Sequence, residues 1–230
     1  KLDWGVSVQT GISSYVDGLR LFGGRAYELA FQSPQPTNPV PQVSPVKPGF
    51  SFGVALLASQ QVSPRLVVTY GLGYSYLSTR IKVGNRVDSS INNTGITLGS
   101  ADYFYRANSA TRSISNQFHL FDLSVELSWK LSAHKKFSLY WDNSIHYNGL
   151  FASRVFQYDR QIPGYYKNSS LLTHHHFFYS TGLSIPASKK VTLSPFISYS
   201  LTPVYRNSGD SAAHFLNYGL RLKFALGKRK

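Results

Sequence analysis

Cysteine is absent from the 230 residues, and so is methionine. Without cysteine there is no disulfide framework, no thiol nucleophile and no Cys-based zinc site; the lack of methionine has no evident physical cause. Charge is also scarce, with Asp, Glu, Lys and Arg making up 15% of the chain where an ordinary soluble domain carries about 25%. No apolar run reaches the roughly eighteen residues of a spanning helix, which excludes helical insertion. The mean hydropathy of −0.18 would by itself suit a water-soluble protein. Composition does not shift abruptly anywhere, so residues 1–230 read as one domain.

What the chain does have is aromatic side chains, 16 Tyr and 15 Phe among them, and a two-residue period. Leu2, Trp4, Val6, Val8, Thr10 and Ile12 alternate with Asp3, Gly5, Ser7, Gln9, Gly11 and Ser13. The same period returns around Phe50–Ala58, Leu66–Tyr76, Leu123–Trp129, Phe137–Tyr147, Phe177–Ile185, Val191–Leu201 and Tyr218–Leu226. Each segment has the length and alternation of a strand apolar on one face and small or polar on the other. A bilayer-crossing strand needs only about 9–11 residues, and its lumen-facing half keeps mean hydropathy low. The pattern therefore predicts an all-β, eight-stranded, up-and-down antiparallel transmembrane β-barrel, with the rings as interfacial girdles.

Connection lengths alternate. Residues 15–48, 84–111, 151–170 and 203–212 are long or irregular, whereas Gln60–Pro64, Ser132–Lys135 and Pro186–Lys189 are tight. This is the layout of an outer-membrane barrel with long extracellular loops, short periplasmic turns and both termini in the periplasm. Pro34, Pro36, Pro39, Pro41, Pro45 and Pro48 make the first loop an extended excursion. Alternation breaks phase near Leu120-Phe121, which predicts a bulge or the point where the strand leaves the bilayer. Pro195 removes a ladder donor from the seventh strand, and a local bulge would accommodate it. The chain opens directly on alternation at Lys1-Leu2-Asp3-Trp4, so an exported protein of this kind has lost a leader or is the carboxy-terminal piece of something longer.

The formal charge of +14 raises nucleic acid as a partner, but its placement argues against one. Lys1, Arg65, Lys130, Lys135, Lys136, Lys189, Lys190, Lys228, Arg229 and Lys230 all fall at the short-turn end, while the long loops mix signs. Lysines at turns snorkel to lipid headgroups and set the depth of a barrel. The sharper reading is a basic rim that docks an acidic periplasmic segment of the same chain or another envelope protein. No helix, stacking platform or nucleic-acid motif accompanies the charge.

The interior of eight strands is just filled by side chains. Strands one and eight must pair to close the barrel, which would bring Asp3 near Arg221 or Lys223. With Glu126 and Asp142 these predict a structural salt-bridge network that plugs the lumen, since buried charges persist only when paired. Gln9 and His146 are further inward positions. Ser144, His146 and Asn148 share one face and invite comparison with a hydrolase triad, but residues two apart on a strand lie roughly 6–7 Å apart, too far for a direct hydrogen bond without bending of the side chains. In His174-His175-His176 only the outer two share a face, and no third ligand is evident, so a rim of polar rings is the better reading. No phosphate loop, carboxylate dyad or nucleotide motif is present, so no catalytic residue, metal or cofactor is expected.

With eight strands in place, FHLFDLSVELSWKLSAHKKFSLYWDNSIHYNGL (Phe118–Leu150) resembles the fourth and fifth strands of small Bacteroidetes-type outer-membrane barrels. PFISYSLTPVYRNSGDSAAHFLNYGLRLKFAL resembles their last hairpin, and Pro48–Gly53 followed by Leu66–Leu77 resembles an earlier one. Two branches of that group are implied. One is the carboxy-terminal barrel of dual membrane-spanning anti-sigma factors, in which a cytoplasmic domain, a membrane helix and a periplasmic stretch precede the barrel. The other is the free-standing barrel associated with secretion or envelope assembly. The resemblance implies a non-enzymatic sensing or anchoring role in envelope signalling, with outer-membrane lipids as surroundings. Phe224 is not terminal here, a departure from the proteobacterial ending.

Overall fold

The computed structural model describes residues 2–17, 44–87, 104–106, 112–134, 137–159, 164–167, 169–206 and 212–227. In chain order its strands are β1 (Asp3–Asp17), β2 (Lys47–Ser63), β3 (Leu66–Val83), β4 (Arg86–Val87), β5 (Phe104–Arg106) and β6 (Arg112–His134), then β7 (Phe137–Arg154), β8 (Phe156–Asp159), β9 (Gly164–Lys167), β10 (His175–Pro186), β11 (Val191–Ser200) and β12 (Ala213–Ala225). Eight of them form a closed antiparallel barrel in the order β1-β12-β11-β10-β7-β6-β3-β2. Closure comes from β1 and β12, paired from Gly5↔Ala225 to Asp17↔Ala213.

The alternation seen in the sequence sorts the two surfaces. On β6, Phe121, Leu123, Val125, Leu127 and Trp129 face outward and are 43–50% exposed, whereas Asp122, Glu126 and Ser128 between them are at most 9% exposed. Apolar outside and polar inside is the inverse of a water-soluble fold and suits a hydrocarbon solvent. Closure gives every barrel strand a neighbour on both sides, so no strand edge is left open. One end of the barrel is closed by short turns, at Pro64-Arg65 between β2 and β3 and at 187–190 between β10 and β11.

Three details depart from the sequence reading. The phase break at Leu120-Phe121 is not a change of facing: Asn116, Phe118, Leu120 and Asp122 all point inward, and the inward face itself turns from polar to apolar. The irregularity is nonetheless there on the partner strand, where His119 pairs with Ala152 and Leu120 with Leu150, leaving Phe151 bulged. Pro195 sits without a register shift; the β10–β11 ladder omits the two positions between Gly182↔Phe196 and Ile185↔Leu193, while Pro195 pairs with Leu220 on its other side. The ring points outward, and the lost donor is absorbed by an interrupted ladder rather than by a bulge.

The third departure concerns the segments read as loops 15–48, 84–111, 151–170 and 203–212. Strands run into the first, with β1 reaching Asp17 and β2 beginning at Lys47, so that Pro48 is a strand residue beside a register shift. The second and third supply β4, β5, β8 and β9, a four-stranded sheet in the order β4-β5-β9-β8 at the long-connection end. Ile81, Val83, Phe156 and Tyr165 form its small apolar core. In the last, Tyr205 bridges to Leu172 and Thr173 donates its N–H to the Val204 carbonyl. Pro34, Pro36, Pro39 and Pro41 lie outside the described residues.

Candidate functional site

Inward-facing residues of six strands meet in the turn-end half of the lumen. Cross-strand pairing puts Glu126 beside Ser144 and Ser128 beside Asp142, while on the far wall Gln9 lies beside Arg221 and Ser7 beside Lys223. Side chains from β6 and β7 then reach across the lumen to β12. Arg221 Nη1 donates to Glu126 Oε2 at 2.8 Å, Lys223 Nζ donates to Asp142 Oδ2 at 2.9 Å, and Lys223 also donates to Glu126 Oε1. Arg221 Nε reaches Gln9 Oε1 at 3.3 Å, and its guanidinium lies 5.0 Å from the centre of the Phe196 ring. Ser184 donates to Asp142, and Ser128 donates to Glu126 at 3.2 Å. The barrel thus brings together Glu126, Asp142, Arg221 and Lys223, each charge paired as buried charge requires, with the buried Asp142 Oδ1 left without a hydrogen bond among the described residues.

Asp3 stands apart. The register that puts Gln9 opposite Arg221 leaves Asp3 beyond the last β1–β12 pair, Gly5↔Ala225, and it is exposed at the turn end. The alternation gives its facing correctly; the relative slide of β1 and β12 decides its distance from Arg221.

A second cluster lies deeper in the lumen. Ser144 Oγ and His146 Nε2 are 2.9 Å apart, and His146 Nδ1 lies 3.0 Å from Asp122 Oδ1, with all three residues buried. Ser144 and His146 therefore do meet: the estimate from strand spacing measured backbone separation and ignored the reach of an imidazole turned along the strand. Asp122, absent from the inward set inferred from sequence, completes the order Ser–His–Asp. Asn148, the third member of the sequence comparison, is buried next to Asp122 and, in the amide orientation that satisfies both its ends, donates to Asp122 Oδ1 at 3.3 Å.

This order of groups resembles a hydrolase triad, yet its surroundings lack the rest of one. Acyl transfer needs donors for a developing oxyanion. Ser144 sits in the ladders on both sides, opposite Glu126 and Ser180, so its neighbours' backbone N–H groups are engaged, and the adjacent Glu126 carboxylate opposes negative charge. The space beside the three is a narrow gap among Gln9, Ser75, Ser124 and Arg221. As it stands the arrangement can exchange protons and orient water-sized molecules.

No protein-family model and no curated protein matches the sequence. Among solved structures it is similar to Neisserial surface protein A, at 9% identity and a TM-score of 0.43 over 97% of this chain and 98% of that one. It is also similar to Ail, the attachment invasion locus protein of Yersinia pestis, at 12% identity and a TM-score of 0.33 over 96% and 98%. A second Ail structure, in complex with the heparin analogue sucrose octasulfate, matches at 11% identity and a TM-score of 0.35 over 97% and 99%.

Above the polar half the lumen is apolar. Leu77, Phe118, Leu120, Val155, Leu172, Phe178, Val204 and Phe215 form one buried cluster, with Tyr15, Leu150 and Tyr205 packed against it. Phe118 and Phe215 meet edge to face, ring centres 4.9 Å apart and planes at 82°, a favoured aromatic geometry. His176 packs on this cluster, 5.7 Å from Phe215, while His175 faces outward and accepts or donates at 2.7 Å to the Tyr147 hydroxyl. The two successive histidines thus point to opposite faces, and His174 is exposed. No group of three His, Cys, Asp or Glu that could hold a metal occurs among the described residues.

Of the basic rim, Arg65, Lys189 and Lys190 are exposed in turns at the end opposite the apolar cluster, and Lys130, half-buried, donates its backbone N–H to the Arg65 carbonyl at 2.8 Å. Asp3 joins them there as an acid among the cations. Lys1, Lys135, Lys136, Lys228, Arg229 and Lys230 lie outside the described residues.

Proposed function

We propose that this chain is a non-enzymatic barrel of a bacterial outer membrane, with its short turns and both ends of the chain in the periplasm, acting as the anchoring and sensing end of an envelope-signalling protein of the anti-sigma type. The observation that carries the first part is the two-tier filling of the lumen. Four paired charges occupy one half and a packed aromatic cluster the other. A barrel so filled is built to be stable in the membrane and to present its ends, rather than to pass solutes. The signalling part is supported by the resemblance of the Phe118–Leu150 and Pro195–Leu226 segments and by the basic turn end, which suits an acidic periplasmic segment of the same chain or of another envelope protein. The Ser144–His146–Asp122 line serves as a polar brace in this reading.

Two observations test the reading. The coding sequence upstream of Lys1 should specify a spanning helix and a cytoplasmic domain; a signal peptide placed directly before Lys1 would overturn the anti-sigma role and leave an assembly or structural barrel in its place. The purified barrel should also show no hydrolysis of short-chain p-nitrophenyl esters above that of Ser144→Ala, whereas activity lost in that variant would make it an enzyme.

A further inference from the structure

The charge on the outer wall of the barrel is one-sided. Along β1, β10, β11 and β12 the outward-facing residues include no Lys, Arg, Asp or Glu. Among the described residues the outward cations of the barrel strands fall on the other half and at its long-connection end: Lys47 on β2, Arg80 and Lys82 on β3, and Arg154 on β7, every one exposed. Lys47 pairs directly with Arg80, Arg80 pairs with Ser115 and Ser78 with Gln117, and Gln117 pairs with Arg154. The four cations therefore occupy one continuous field across four adjacent strands, with Ser113, Ser115 and Gln117 between them.

Anchoring alone does not account for this. Cations that only set depth would ring the wall, as snorkelling acts equally on every side. Among the described residues no carboxylate faces outward beside them. Arg154 is held in place by its guanidinium lying 5.8 Å from the centre of the Phe156 ring. Directly below, toward the apolar band, Tyr74, Tyr76, His119 and Phe151 form an aromatic floor: the Tyr74 hydroxyl is 2.8 Å from His119 Nδ1, and the His119 ring lies 5.3 Å from Tyr76 and 6.2 Å from Phe151.

We propose that this patch binds a lipid whose sugar head group carries phosphate, with the acyl chains lying on the wall below. Three features identify the class. Paired and forked cations with no carboxylate of the described residues among them fit phosphate oxygens. Four strands span about 14 Å at 4.8 Å per step, wider than a single phosphodiester but matched by a disaccharide, whose hydroxyls the serines and Gln117 can meet. The patch is continuous with the lipid-facing wall, as a site for an amphiphile must be. The proposal rests on the membrane reading above and on the long-connection end facing outward.

The test titrates the whole barrel in non-ionic micelles with bisphosphorylated lipid A, following binding by native mass spectrometry, with dephosphorylated lipid A, phosphatidylglycerol and inorganic phosphate in parallel. Bisphosphorylated lipid A should bind best, and Arg80→Gln with Arg154→Gln should weaken it by about tenfold or more, as the loss of two charge-assisted contacts to phosphate requires. Lys189→Gln with Lys190→Gln, at the other end, should not change it. Heat-modifiable gel migration verifies that each variant is a closed barrel. Equal binding of the dephosphorylated lipid, equal binding of phosphatidylglycerol, or an unaltered affinity of the arginine variant would each overturn the site. Protease added to intact cells tests the orientation separately: protection of the long-connection end would overturn the outward reading while leaving the micelle affinities as measured.

Discussion

Glu126 accepts from both cations of the lumen network, Arg221 and Lys223. Replacing it by Ala would leave Arg221 with no carboxylate and Lys223 with only Asp142, and uncompensated buried charge costs about 3–5 kcal/mol. Glu126→Ala should therefore lower the urea midpoint of unfolding in micelles markedly, whereas Asp3→Ala, at an exposed position, should alter stability by no more than about 0.5 kcal/mol. Equal effects of the two would remove the distinction drawn between them. At this scale the sequence carried facing but not neighbourhood. Glu126, Asp142, Arg221 and Lys223 could be named as inward from alternation, because a period of two leaves no choice once the apolar set is out. Asp3 was misplaced by the same rule, since alternation carries no information on how far one strand slides past its partner. Asp122 was missed for a related reason: its link to His146 runs diagonally between strands, a contact set by the β6–β7 register.

Strand-scale features depend on what a backbone can tolerate. Gly11 and Gly219 face each other across the closing seam, and a Cβ on either would run into the backbone of the other strand. Gly219→Ala should impair closure, seen as loss of the heat-modifiable gel shift, while alanine at Gly149, where a Cβ meets nothing, should be accepted. In the small outer sheet, Tyr165 accepts the Ser44 N–H at 2.6 Å. Burial raises its hydroxyl above the usual 10.0, aided by the neighbouring Tyr158 and opposed by the Ser44 hydrogen bond. A raised folded-state value means that the protonated phenol supports the sheet fully below pH 10 and that this support is lost as pH climbs through the folded value. Amide exchange at Tyr165 and Ser44 should thus stay flat to pH 10 after correction for intrinsic rates, and Tyr165→Phe should speed it at every pH. The eight long strands were readable because each repeats its alternation several times. β4 and β5, of two and three residues, are too short to show a period; they exist because Ile81, Val83, Phe156 and Tyr165 offer them a surface to pack on.

Taken whole, the lumen has a charged tier and an apolar tier, and the second was hidden in the sequence by its mixed origin. Phe118 and Leu120 come from one strand, Phe178 and Phe215 from two others, and Leu172 and Val204 from connections. On the assumption that every apolar side chain faces lipid, Phe118 and Leu120 register only as a break in phase. The packed tier predicts that the reconstituted barrel gives no stable open channel in planar bilayers. Phe118→Ala combined with Phe215→Ala should produce leak events while the gel shift persists; porin-sized currents from the unmodified protein would contradict the closed interior.

The seam between the first and last strands also has a mechanical meaning. β1 is held by thirteen pairs to β12 on one side and eleven to β2 on the other. A pull on the chain just ahead of Asp3, directed along the strand, loads both ladders in shear, so that many hydrogen bonds must give together instead of opening one at a time. The same pull applied sideways, across the sheet, would peel them singly. The barrel is thus a strong fixture for axial tension from the turn end and a weak one for lateral tension, a difference that single-molecule pulling in the two directions would register as separate rupture forces.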